Sequence, residues 1–165
     1  MIKKFLDLGM QPLANKYLTK KDIIKKNKEQ FYHLEVGFNS KTKLVSIVNT
    51  VPSKKMFDGN YPYKSSMSQT MKLSFKKLAK NLIKTYNPNS ILEIGSNDGP
   101  FIRNFSKKKV ICVEPCKNLA IITKRMGYKT YVSFWNMRLA KKIKSKTEKI
   151  ELIYSANTLS HINNL

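Results

Sequence analysis

The chain has 165 residues, 41% of them hydrophobic, enough for one ordinary globular core or for a small module beside part of a larger one. Its 32 Lys and Arg outnumber its 10 Asp and Glu for a formal charge of +22, a balance that raises nucleic acid, an anionic membrane surface or a phosphorylated substrate as partner. Arg stands only at 103, 125 and 138, whereas base and phosphate recognition favours its bidentate guanidinium, so a Lys, Asn and Ile bias with a solvated surface accounts for the charge better than a nucleic-acid footprint.

Cys112 and Cys116 have no second pair to complete a four-ligand metal site and read as reduced thiols of an intracellular protein. The start, MIKKFLDLGMQPLANKYL, lacks a signal-peptide apolar run, and no stretch approaches the ~20 apolar residues that span a bilayer. A soluble, cytoplasmic chain with no membrane partner is expected.

In chain order, residues 1–60 hold short apolar clusters broken by Gly, Pro, Asn and Lys, and form a small β-containing module. Within it VGFNSKTKLVSIVNTV predicts a hairpin that turns at NSKT. Residues 67–86 place Met71, Phe75, Leu78, Leu82 and Tyr86 on one face of a long helix, with Ser66 or Ser68 as N-cap and NPN as the stop. From there to residue 165 short apolar strands alternate with helical segments: SILEI, PFIRNFSKK, VICVEP, NLAIITKRMG, KTYVSF, NMRLAKKIKSK and IELIYSA. That rhythm predicts parallel βαβ units, an α/β sheet with helices on both faces and a second domain over 61–165.

Ligands of such sheets lie beyond the carboxyl ends of the strands. In ILEIGSNDG, Gly95 and Gly99 permit positive φ and close approach, while Ser96, Asn97 and Asp98 offer hydroxyl, amide and carboxylate groups. A carboxylate inside the loop argues against a pyrophosphate and suits a cationic or hydroxyl-bearing ligand. Glu114 closes VICVE about 20 residues past Glu93, the place from which an acid accepts both hydroxyls of a ribose. Together these groups ask for a nucleoside with free ribose hydroxyls and no phosphate against the loop, and S-adenosylmethionine fits.

The bland alternatives are specific. The loop could be a turn that only joins strand to helix, Glu114 an acid complementing a helix start, and Asn136 an N-cap. Tyr61 and Tyr63 could be packing aromatics and His161 a structural imidazole, although at the carboxyl end of the fourth strand His161 is placed to act as a general base. His33 is assigned no role.

DLGMQPLAN, VPSKKMFDGNYPYKSSMSQTM, ILEIGSNDGPFIRNF, VEPCKN, GYKTYVSFWN and SANTLSHI, in that order, resemble the S-adenosylmethionine-dependent sugar C-methyltransferases that act on nucleotide-linked keto-sugars. The resemblance implies a class I methyltransferase core, a Rossmann-like sheet of order 3-2-1-4, after a small zinc-binding module and before a carboxyl-terminal sugar-binding domain. It implies cofactor contacts from Glu93, Gly95, Ser96, Asn97, Asp98, Gly99, Glu114, Pro115, Asn136 and Asn157, with Asn136 at the adenine edge. His161, Tyr63 and Tyr61 would be catalytic, the tyrosines lying over the active site.

The departures from that family matter equally. Its amino-terminal module carries two Cys-x-x-Cys pairs. This chain begins after the first, and Asn39 and Thr42 stand where the second belongs, so no zinc is expected. With the sugar-binding domain and fifth strand beyond the sequence, the chain reads as an incomplete methyltransferase fragment, inactive alone, whose fourth strand exposes an edge prone to self-association. The alternatives are a cofactor-binding remnant without turnover and, on charge alone, a basic nucleic-acid-binding protein.

Overall fold

The computed structural model describes residues 2–25 and 29–162. The chain divides into two compact units, Met1–Met56 and Phe57–Leu165.

The first unit is a three-stranded antiparallel sheet with strands in chain order: β1 (Ile2–Pro12), β2 (Phe31–Asn39) and β3 (Leu44–Ile47). A five-residue helix α1 (Lys20–Ile24) lies between the first two strands, and α2 (Ser53–Met56) ends the unit. The expected hairpin forms, with Val36 opposite Ile47 and Asn39 opposite Leu44. Asn39 sets its turn, because the side-chain oxygen accepts from the Lys41 and Thr42 amides at 3.0 and 3.2 Å. Strand β1, by contrast, is not visible in the residue pattern. Gly9 lies within it, and its register with β2 shifts between Lys4 and Leu6 and again between Asp7 and Met10, so the side-chain alternation that marks a strand is broken twice.

The second unit opens with coil and a 3-10 turn at Ser65–Met67, then the helix α3 (Gln69–Tyr86). Ser68 is its N-cap, accepting from the Met71 amide at 3.2 Å, and Asn87 ends it in the left-handed region at φ 39°. Phe75 and Ala79 are buried, and Met71, Leu78 and Leu82 pack beside them. Tyr86 corrects the expected apolar face: it is 71% exposed, because the last turn runs past the core that ends at Leu82.

Then come β4 (Ile91–Ile94), β5 (Val110–Val113), α4 (Lys117–Arg125), β6 (Lys129–Tyr131), α5 (Met137–Lys144) and β7 (Leu152–Tyr154). The four strands are parallel in the order β6-β5-β4-β7, the expected 3-2-1-4 of a Rossmann-like sheet. Helices cover both faces. Ile91, Val110 and Cys112 meet α3 through Phe75 and Ala79, while Leu92, Ile94, Ile111 and Val113 meet α5 through Leu139 and Ile143.

The helix expected over PFIRNFSKK does not form. Two 3-10 turns, Ile102–Asn104 and Lys107–Lys109, stand in its place. The Asn104 carboxamide donates to the Pro100 and Phe101 carbonyls at 3.1 and 2.8 Å, which competes with a helical ladder, and Phe101, Ile102 and Phe105 are all buried at once. No helix among the described residues is long and apolar enough to cross a membrane.

Candidate cofactor site

A cavity of about 160 Å³ opens at the carboxyl ends of β4 and β5. One water needs roughly 10–15 Å³ by the same measure, so this space is of organic-ligand size. Its floor comes from the loop after β4. Gly95, at φ 77°, donates to the Val113 carbonyl at 2.8 Å, and a side chain there would collide with Thr158 in the loop after β7. Gly95 therefore lets two strand ends approach closely.

Two carboxylates close adjacent strands at this cavity. Glu93 is 3% exposed, sits across the sheet from Cys112 and Tyr154, and its Oε2 has no hydrogen-bond partner among the described residues. Burial and the neighbouring Glu114 carboxylate push its pKa well above the ordinary carboxylate range. Glu114, 4% exposed, accepts from the Asn97 amide through Oε2 and from the Cys116 amide through Oε1, both at 2.8 Å. Burial raises its pKa against the lowering effect of those two amides. Each oxygen keeps a second lone pair, so the helix-start role and acceptance of ribose hydroxyls are compatible.

Phe134 and Trp135 follow β6 and give the cavity apolar walls, and Phe57, Met71 and Phe75 supply others. Tyr61 and Tyr63 line it too; the Phe57 ring lies 5.3 Å from Tyr61 and 5.2 Å from His161, measured between centroids. His161 sits in the 3-10 turn Leu159–His161 after β7. Burial pushes the thiol of the cavity-lining Cys116 up, as it pushes Cys112 to about 12, so both favour the protonated thiol.

Of the residues proposed from sequence, Glu93, Gly95, Ser96, Asn97, Glu114 and Pro115 line this cavity, as do Asn157, Tyr61, Tyr63 and His161. Asp98, Gly99 and Asn136 do not. The Asp98 carboxylate accepts from the Ser66 amide at 3.1 Å and from the Ser66 hydroxyl. Gly99, at φ 83°, is a packing glycine whose absent side chain would press on Ile102 and Thr123. Asn136 caps α5, accepting from the Leu139 amide at 2.9 Å. The acids that line the cavity are thus the two strand-end glutamates, not the carboxylate inside the loop. Phe57, Met71 and Thr158 were not singled out for the site from the sequence, because nothing local marks a side chain that reaches a site from a remote segment.

Among known families, residues 1–57 match the model of a methyltransferase-related family described as a putative zinc binding domain. A search of curated proteins found no match. The residues present do not fit zinc. Residues 1–57 contain no cysteine, and the one group of His, Cys, Asp and Glu close enough to share an ion among the described residues is Asp7, His33 and Glu35. Both oxygens of Glu35 are taken, by the Lys4 ammonium at 2.5 Å and the Asn49 carboxamide at 2.6 Å, so a cation already sits where a metal would. The amino-terminal residues thus match a putative zinc binding domain of methyltransferase-related proteins while holding no thiolate.

Proposed function

We propose that the second unit binds S-adenosylmethionine and that the protein transfers its methyl group to a carbon beside the keto group of a nucleotide-linked deoxysugar. The observation that carries the cofactor is the pair Glu93 and Glu114 at one cavity. An unpartnered carboxylate oxygen suits the ammonium of an amino-acid moiety, and a carboxylate oriented by two amides suits vicinal hydroxyls. Two buried acids also disfavour a phosphate there. Phe134 and Trp135 suit the adenine.

When bound, the cofactor supplies an electrophilic methyl group on a sulfonium. The protein's part is proton transfer and alignment. His161 takes the proton from the carbon next to the keto group, and Tyr63 donates a hydrogen bond to the keto oxygen as negative charge develops there, with Tyr61 beside it. The sugar acceptor rests on the resemblance carried by YPYKSS and EIGSNDG.

The test is incubation with methyl-labelled S-adenosylmethionine and a panel of nucleotide-linked 4-keto sugars. Label on a ring carbon, lost in His161→Ala, supports the reading. Binding of S-adenosylhomocysteine without label in any acceptor is the result expected of a cofactor-binding remnant, which the absent thiolates of residues 1–57 favour.

A further inference from the structure

Two polar side chains of the glycine loop, Asn97 at the edge of the cavity and Asp98 outside its lining, hold one segment. Asn97 is held at φ 50°, and its amide is fixed on Glu114 at 2.8 Å. From there its side-chain oxygen accepts from the Ser65 amide at 2.9 Å, and its nitrogen donates to the Tyr63 carbonyl at 3.2 Å. Asp98, 2% exposed, spends both oxygens on Ser66. Asn118 of α4 donates to the Tyr61 carbonyl at 2.8 Å. The segment Tyr61–Ser66 is coil until the 3-10 turn at Ser65, yet it contributes Tyr61, Tyr63 and Ser65 to the cavity wall. Four of its backbone groups, the Tyr61 and Tyr63 carbonyls and the Ser65 and Ser66 amides, are satisfied by these three side chains in place of a secondary-structure ladder.

We infer that Asn97 and Asp98 are positioning residues that act on the cavity's ligand through the Tyr61–Ser66 strap, which they hold as one wall; Asp98 does so from outside the cavity, while Asn97 also lines it. This rests on the cofactor reading for the identity of the ligand, but not for the clamp itself. Asn97 joins the two: the carboxylate proposed to meet the ribose holds the amide of the residue that holds the strap. A wall held by part-buried hydrogen bonds, those to Asp98 charge-assisted, slows ligand escape more than ligand entry.

Ser66 does not line the cavity, which makes it the informative position. Ser66→Ala should raise the dissociation rate of S-adenosylhomocysteine about tenfold, the loss of one charge-assisted hydrogen bond, with association changed less than twofold. Asp98→Ala should do the same or somewhat more, and the double variant should add nothing to Asp98→Ala. Asp98→Asn should be milder than Asp98→Ala, since a carboxamide still accepts from the Ser66 amide. A carboxylate needed for its charge on the ligand would lose as much in either variant.

Amide hydrogen exchange of ligand-free protein reads the clamp without any ligand. Residues 61–66 should exchange faster in Ser66→Ala and Asp98→Ala, with α3 unchanged. Weakened binding in Asp98→Ala with none in Ser66→Ala would overturn the inference and make Asp98 a direct contact, as would two single effects that add in full in the double variant. If wild-type protein binds no S-adenosylhomocysteine, the cofactor reading fails by itself and exchange decides the clamp: unchanged exchange over 61–66 overturns it. Should Asp98→Ala fail to fold, Ser66→Ala carries both measurements.

Discussion

Strands β4 and β5 of the second unit are buried at every position, while β1 and β3 of the first are exposed almost throughout. Among the described residues of Met1–Met56, Glu35 and Gly37 alone are buried. The sheets are therefore stable for different reasons. One rests on apolar burial on two faces, the other on a backbone ladder and the polar clasp of Glu35 with Lys4 and Asn49. Small modules without a core normally add a disulfide or a metal. Residues 1–56 include no cysteine and no free ligand set lies among the described residues, so this unit should be the less stable half.

The comparison breaks most sharply at the cores. Phe101 is fully buried and stacks on Tyr154 with centroids 3.9 Å apart, so Phe101→Ala should cost about 3–5 kcal/mol. Val45, 61% exposed on β3, should change stability by less than about 0.5 kcal/mol on replacement by Ala. Urea unfolding followed by fluorescence of Trp135, the chain's one tryptophan, reports the first, and amide exchange in β2 and β3 the second.

Next in size is the clasp. Glu35→Ala removes the acceptor of two hydrogen bonds and should cost the first unit about 1–3 kcal/mol, seen as faster exchange across β1 and β2 with β4 and β5 unchanged. Asp7→Ala removes the acceptor of the Gly9 amide and the exposed pair with His33 and should destabilise the first unit less than Glu35→Ala does.

The second unit should also respond to pH through its site. Glu93 holds its proton to a higher pH in the native state than at its ordinary value of 4.5, so between that value and its raised one the native state binds more protons. Stability contributed by this group is thus lost as pH rises through the window, and Glu93→Gln should flatten the slope of the thermal midpoint against pH. Glu114 shifts in the same direction, so part of the slope remains. The smallest expected effect is none: a chelator, or added zinc, should leave exchange in the first unit unchanged, whereas a zinc-held module would open on chelation.

The parts legible from sequence were those set by local periodicity. Strand β4, the Gly95 turn, Glu114 after β5 and a serine cap, Ser68 of the two candidates, follow from residue spacing and from atoms a few positions away. What was hidden depended on partners far along the chain. That Asp98 faces Ser66 and Asn97 holds Ser65, each 32 residues distant, cannot be read from a loop whose composition fits a ligand contact equally well. PFIRNF has helical spacing, but Asn104 and three buried apolar side chains divert it into 3-10 turns. Strand β1 was obscured by its own irregular register.

The central claim is that the cavity at the ends of β4 and β5 takes an adenosyl ligand through two buried acids. Isothermal titration with S-adenosylhomocysteine against wild type, Glu93→Gln and Glu114→Ala tests it directly, with each folded state checked by circular dichroism. The account predicts saturable binding of one ligand, weakened by roughly 1–3 kcal/mol in each variant. Absence of binding, or an affinity that neither substitution changes, would contradict it.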